Sequence, residues 1–569
     1  MRGIGKRLFA GLLTAALCLG LLGCGARTGG SASTEETENL VKLCKVWGYV
    51  KYRHPAFLLG KKDWDAELLT LIPQVREAES AGAVNTLLHD WFIGLGEIDY
   101  GTDQTNLSWA QAKEEDKVFA ADIAWASDRD YLGEELAGDL ARIEVLPAGN
   151  RTKSPARIGS VAAHRGFANE PEHEARYDNA EFRLLALFRL WNAVEYFFPY
   201  LDLMDQEWDE LLREYIPQML SGIDQDSYEK TLAFLAYQLH DPHVALGCLV
   251  PGMSTLNPLP YAANYYLFPA ALREAEGKLA VTTTIDPCAL KQGDVVLAVN
   301  GRKIEALLED RKLDECTPRE DSALNQMRYT ITGSREEFNE ITVLRDGQEL
   351  TVFVQYGTAR PAELWEPKCV YQILDGNIGL LNPGFPGQED AEEVMAALWN
   401  TSGLIIDLRQ YPACNVLTDL NRYVLKEYSP VFVVATPADA YPGAYIKNKT
   451  YGGQISGLSQ YYDKPVVLLM CNDTTVSWAE TEVAILSRGE KVVTMGEHSA
   501  GGNGTVALLP LPGKLAMSFS SQGVYTPEGE RTQRTGITPD IPVAPTVQGI
   551  KEGRDELLEA AVQYILDKK

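Results

Sequence analysis

Apolar residues recur at three- and four-residue intervals in two stretches far apart in the chain. In the second of these, Leu184, Leu187, Phe188, Trp191, Val194 and Phe198 fall on one helical face, and Pro199 ends the run. The two stretches read as copies. "LCKVWGYVKYRHP" at 43–55 aligns without a gap with "LFRLWNAVEYFFP" at 187–199, and "DWDAELLTLIPQV" at 63–75 with "EWDELLREYIPQM" at 207–219, each pair 144 positions apart. Self-similarity of this kind predicts a duplicated helical unit. In the second copy the next helix, "SYEKTLAFLAYQL", runs into "HDPHVAL", where the offset sets His243 against Asp99. Only the second copy therefore brings an imidazole to that end of the unit. A cation near the last carbonyls of a helix is stabilised there, so His240 and His243 also have a purely structural reading as caps.

From about 256 to 360 the period falls to two. Short strands, "KLAVTTTI", "DVVLAVNG" and "EITVLRDGQELTVFV", are divided by Gly and Asp-Gly turns. The segment "LKQGDVVLAVNG" at 290–301 resembles the strand and turn of a PDZ domain, although the Gly-Leu-Gly-Phe loop that would hold a peptide carboxylate is missing. Beyond about 365, buried strands ("NIGLLNP", "GLIIDLRQ", "PVVLLMCN") alternate with helical stretches ("AEEVMAALWN", "LTDLNRYVLK", "SWAETEVAILSRG"), the pattern of an α/β layer.

Composition narrows the partners. The formal net charge of −27 and the lack of a basic patch beyond Arg2, Lys6 and Arg7 exclude the electrostatic footprint of a nucleic-acid binder. Those three cations open an export signal whose apolar part is "LFAGLLTAALCLGLL". "LLGC" resembles a bacterial lipobox, which implies that Cys24 is lipidated and that the protein is held on the outer face of a bacterial cell membrane. Residues 25–38, rich in Gly, Ser and Thr, suit a flexible tether. Beyond Cys18 and Cys24 of the signal, seven cysteines without a C-x-x-C pair argue against a full disulfide framework. No H-E-x-x-H, phosphate-binding or calcium-binding loop is present, so no metal or organic cofactor is expected.

The chemistry concentrates on "NDTTVSWAETEVAI" at 472–485, where the strand "PVVLLM" gives way to a helix. Ser is common at helix starts as a cap. Here Asn472, Asp473, Thr474 and Thr475 already offer capping oxygens, which leaves Ser477 free for another task. At such a junction the amide of Trp478 faces a developing oxyanion with the helix dipole behind it. A second donor is expected from the loop "DLRQYPACN"; Pro412 has no N–H, so the donor would be Ala413 or Cys414.

These segments resemble the carboxyl-terminal processing, or tail-specific, serine peptidases, a family that includes the core of tricorn protease. "NDTTVSWAE" is similar to its nucleophile motif, "GLIIDLRQYP" to its strand and oxyanion loop, "MGEHSAGGNG" to its glycine-rich stretch, and "GITPDIPV" with "GRDELLEAAVQYIL" to its closing segment. The processing branch carries a Lys base in the glycine-rich stretch, where this chain has Gly502 and Asn503. The tricorn-like branch draws a His from a segment similar to "LHDPHV", which implies Ser477 as nucleophile and His243 as base. That branch also has a Ser before the His and a Glu three residues before the Gly of "GITPD", whereas this chain has Pro242 and Gln533. Gln533 can orient an imidazole but cannot balance its charge. Glu480, Asp241 and Glu497 are alternative carboxylates, and His498 is a lesser candidate base.

The expectation is a multidomain α+β chain. It comprises a signal (1–24), a tether (25–38), helical copy one with an insert (39–175), helical copy two carrying His243 (176–255), a PDZ-like β module (256–360) and a crotonase-like (ClpP-like) α/β catalytic core (361–569). Its expected activity is that of a serine endopeptidase acting on extracytoplasmic proteins or peptides. The alternative is an inert relative that binds peptides or other ligands in the same cleft.

Overall fold

A computed structural model describes residues 33–568, apart from 120, 150, 157–165, 250–255, 259–265, 311–330, 332, 360, 363–364, 415, 439 and 454–459. The export signal and Cys24 lie outside the described residues. Among the described residues no helix is long and apolar enough to cross a membrane. Among the described residues Cys44, Cys288, Cys369, Cys414 and Cys471 are free thiols.

Helices α1 (Thr34–Lys51), α2 (Trp64–Arg76) and α3 (Ala81–Gly94) are followed by α4 (Ala180–Phe197), α5 (Trp208–Ser221) and α6 (Gln225–Tyr237). Ser33, Asp63, Ser80, Asn179 and Asp224 cap α1, α2, α3, α4 and α6 by accepting first-turn amides, donors that a helix start otherwise leaves open. The indole of Trp47 donates to the carbonyl of Trp64, and that of Trp191 to the carbonyl of Trp208, both at 2.9 Å. Helices α1 and α4 are buried almost all round because they pack on each other at the centre of the helical region. Gly48 permits their approach: a Cβ there would lie 1.6 Å from Asn192 Oδ1, while Asn192 Nδ2 donates to the Cys44 carbonyl at 3.0 Å.

Strand β1 (Ala245–Leu249) leaves the helical region just after His243. The next module is an antiparallel sheet in the order β2 (Ala270–Ala275), β3 (Lys278–Thr284), β4 (Val295–Val299), β5 (Phe338–Arg345) and β6 (Gln348–Gln355), closed over Phe268, Leu272, Val281, Val296, Ile341, Val343 and Val354.

The C-terminal part is built on β7 (Tyr371–Leu374), β8 (Ile378–Leu381), β9 (Leu404–Asp407), β10 (Val466–Met470) and β11 (Val492–Gly496). A hairpin of β12 (Val506–Leu511) and β13 (Leu515–Ser520) precedes the last strand of this sheet, β14 (Ile541–Pro542). The order is β7-β8-β9-β10-β11-β14, parallel from β8 onward. Alternate side chains serve two cores, which explains the near-continuous apolar runs in the sequence. Leu404, Ile406, Leu468 and Met470 pack with Leu417, Leu420, Val483 and Leu486; Ile405, Val467 and Leu469 pack with Ala561 and Ile565 on the opposite face.

The hairpin does not belong to that sheet. Strand β13 pairs antiparallel with β1, Ala245 opposite Ser518. Leu246, Leu509, Leu511, Met517 and Phe519 then join the same apolar core as α1 and α4. The helical region and the α/β part are thus welded through one core, and the weld runs directly past His243.

Candidate active site

Ser477 stands between β10 and helix α7 (Trp478–Leu486) with φ 57° and ψ −118°, and its side chain makes no capping hydrogen bond. A positive φ is costly for a residue with a Cβ and is retained where surrounding contacts impose it. Those contacts are visible. The Thr475 hydroxyl accepts from the Cys471 amide at 2.9 Å and donates to the Leu408 carbonyl at 3.0 Å, and the Thr474 hydroxyl donates to the Arg409 carbonyl. These two threonines, expected to supply capping oxygens, instead tie the turn to the end of β9. The Ser477 amide donates to the Gly502 carbonyl at 2.7 Å, and the Ala500 amide to the Thr475 carbonyl at 3.0 Å. Trp478, as the first helical residue, presents an amide with no acceptor inside its own helix.

The glycine-rich stretch is held in turn by Glu480. Its Oε1 accepts from the Gly501 amide at 3.2 Å and from the Ser499 hydroxyl. Burial pushes this carboxyl up to about 7, against hydrogen bonds that favour its charged form. Glu480 therefore faces the loop and not an imidazole, which corrects the expectation that it orients His243. Glu497, another carboxylate considered for that task, pairs with Arg273 on β2 at 2.6 Å. The Nδ1 of His498 lies 3.3 Å from the Thr538 hydroxyl.

His243 reaches the same neighbourhood from the helical region. A Cβ added to Gly502 would meet Pro242 Cγ at 2.9 Å, so the residue before His243 lies against the residue whose carbonyl holds Ser477. The imidazole is 8% exposed; its Nδ1 lies 2.8 Å from Ser520 Oγ and 3.8 Å from Asp241 Oδ1, while its Nε2 is buried without a hydrogen-bond partner. Asp241 accepts from the His243 amide at 3.1 Å, the Ser520 amide at 2.6 Å, the Ser520 hydroxyl at 2.9 Å and Gln533 Nε2 at 3.0 Å. Gln533 thus holds Asp241 and not, as expected, the imidazole. Burial lowers the His243 pKa and the Asp241 charge opposes the shift, which leaves the ring neutral near pH 7.

The expected second oxyanion donors are occupied. The amides of Ala413 and Cys414 both donate to the Pro383 carbonyl, at 2.8 and 3.2 Å, because the loop folds back on the segment after β8.

Two residues escaped the sequence reading. Ser518 donates to the His243 carbonyl at 2.7 Å and accepts from the Ala245 amide at 3.1 Å, and Ser520 meets the imidazole. Their signal was two serines at period two inside the apolar strand "LAMSFS", polar groups that need partners when buried.

Residues 382–543 match the family described as Peptidase family S41. The matched span holds Ser477, Glu480 and Gln533 but not His243. No curated protein matches the chain in sequence. Among solved structures, mature CPAF complexed with lactacystin aligns over 68% of this chain and 98% of its own, at 12% identity and a TM-score of 0.52. Mature CPAF aligns over the same shares, at 14% identity and a TM-score of 0.52. The photosystem II D1 C-terminal processing protease aligns over 66% of this chain and 98% of its own, at 15% identity and a TM-score of 0.37.

Proposed function

We propose that this chain, a serine-type peptidase whose residues 382–543 form an S41 domain, is an endopeptidase that cleaves extracytoplasmic proteins or peptides through Ser477 and His243. The observation that carries the reading is Gly502, whose carbonyl takes the Ser477 amide and where an added Cβ would press on Pro242. Two segments more than 200 residues apart in sequence thereby meet at one loop.

In this reading His243 Nε2 takes the Ser477 proton as Oγ attacks the scissile carbonyl. The Trp478 amide receives the oxyanion at the N-terminus of α7. Collapse breaks the C–N bond, the imidazolium returns its proton to the leaving amine, and water, activated by the same Nε2, releases the acyl group. Ser477 suits the nucleophile's part because its sharp turn presents the hydroxyl instead of spending it on a cap. A second oxyanion donor from 413–414 requires those amides to leave the Pro383 carbonyl when substrate enters. The 144-residue repeat supports descent of the helical region from one duplicated unit, of which one copy kept the structural part and the other supplies His243. The antiparallel module at 256–360 is read as PDZ-like, flanking the cleft. Cys24 is read as the lipid anchor, so Cys24→Ser is expected to move the protein from the membrane to the soluble fraction.

The test of the chemistry is labelling by a fluorophosphonate. Wild type is expected to label, and Ser477→Ala and His243→Ala to fail. A folded wild type that takes up no probe would favour the inert binder, and equal labelling of Ser477→Ala would place the nucleophile elsewhere.

A further inference from the structure

We infer that Ser520 is a positioning residue that carries the charge of Asp241 to His243, and that Gln533 serves this relay by donating to Asp241. The inference rests on His243 being the base of the proposed peptidase.

The gap from His243 Nδ1 to Asp241 Oδ1 is 3.8 Å, too long for a hydrogen bond. The Ser520 hydroxyl fills it, 2.8 Å from Nδ1 and 2.9 Å from Oδ1. A hydroxyl has one hydrogen, and an ionised carboxylate only accepts. Ser520 therefore donates to Asp241 and accepts from Nδ1–H, which assigns the imidazole tautomer. Nε2 is left with a bare lone pair, and Nε2 is the buried ring nitrogen without a partner.

Pro242 and Gln533 both fit this arrangement. Pro242 offers no hydroxyl beside the imidazole, and Ser520 brings one across from the paired strand; β1 and β13 set Ala245 opposite Ser518, so His243 falls opposite Ser520. Gln533 carries no charge, yet its amide donates to Asp241 at 3.0 Å in a buried site. A carboxylate at position 533 would lie against Asp241 and repel it. Asp241 supplies the acid of the relay, and the Gln533 amide is a neutral donor that such a buried acid can accept.

The second-order rate of fluorophosphonate labelling, measured against pH, tests this. Ser520→Ala removes one hydrogen bond to a charged group and is expected to slow labelling roughly 10- to 10²-fold. Asp241 is the charged group acting on the imidazole, and without the hydroxyl its influence weakens. The acid limb of the profile is therefore expected to move to lower pH, a change that loss of packing alone does not produce. Ser520→Thr keeps the hydroxyl and is expected to restore both rate and profile. Asp241→Asn is expected to cost more, up to about 10⁴-fold by analogy with the acid-to-amide change in the Ser-His-Asp triad. Adding Ser520→Ala to it should cost little further. Gln533→Glu is expected to lower the rate. Wild-type rate and profile in Ser520→Ala overturn the inference, as does a gain in Gln533→Glu. If Ser520→Ala fails to fold, Ser520→Thr and Gln533→Glu decide by the same criteria. Labelling that persists in Ser477→Ala or His243→Ala sinks the parent reading; labelling lost there but intact in Ser520→Ala sinks this one alone.

Discussion

At the scale of single residues, the site is built from groups held in states they would not choose alone. Ser477 adopts a backbone conformation that glycine reaches freely, at a cost of about 1–3 kcal/mol for other residues. Ser477→Gly relieves that strain but adds unfolded-state entropy of about 0.5–1 kcal/mol. It is expected to stabilise the fold by about 1 kcal/mol relative to Ser477→Ala in urea unfolding, with neither variant labelling. Equal stability would mean that the turn stores no strain. Glu480 carries a second cost. Its carboxyl, held at about 7 by burial, binds a proton more tightly folded than unfolded. Its contribution is complete below the ordinary value of 4.5 and is lost as pH rises towards and through about 7, a span on the order of 3 kcal/mol. Glu480→Gln is expected to flatten this part of the stability profile between pH 5 and 8, as read by unfolding at each pH. A profile unchanged by the substitution would show that Glu480 titrates normally.

Between elements, one loop lies against both the Ser477 turn and the segment that carries His243. Gly502 has a backbone conformation that alanine can adopt, so Gly502→Ala acts through its Cβ alone, which would press on Pro242 at 2.9–3.0 Å. The displaced segment carries His243, and a misplacement of about 1 Å typically costs about 10² in rate. Gly502→Ala is expected to label about 10²-fold more slowly while retaining its near-ultraviolet circular dichroism. An unaffected rate would mean that Pro242 yields without moving the imidazole. The β1–β13 pairing explains why the other side of the site is firm: Ser518 and Ser520, one alternation apart, both grip the His243 turn.

Over the whole molecule, a buried ionic cluster joins the two helical sets to the hairpin. Arg189 on α4 binds Asp65 on α2, reaches Glu170 Oε2 at 3.2 Å and donates to the Pro510 carbonyl at 3.0 Å, while Lys51 on α1 meets Glu170 Oε1 at 2.7 Å. Both carboxylates and both cations have fully buried side chains. Arg189→Met leaves two buried carboxylates, Glu170 facing Lys51 and Asp65 facing His173, whose Nε2 lies 2.8 Å from Asp65 Oδ2. A loss of about 3–5 kcal/mol is expected in equilibrium unfolding, larger than from removing any one exposed pair. A loss under about 1 kcal/mol would show that the cluster relaxes or admits water.

Much of this architecture was legible because local forces write it. The periods of 3.6 and 2 and the junction that holds Ser477 depend on residues within a few positions of one another, whereas the helix that begins at Thr34 replaces the expected tether over 34–38. The 144-residue repeat and the histidines at the end of its second copy, His243 among them, were equally plain in the sequence. What the chain order could not disclose was which groups meet across it. That the 413–414 amides turn to Pro383, that Glu480 serves the glycine-rich loop, and that Ser520 stands between Asp241 and His243 follow from strand register and loop packing. Hydrogen bonds have a reach of about 3 Å, so a partner 277 residues away is chosen only when the tertiary fold brings it there.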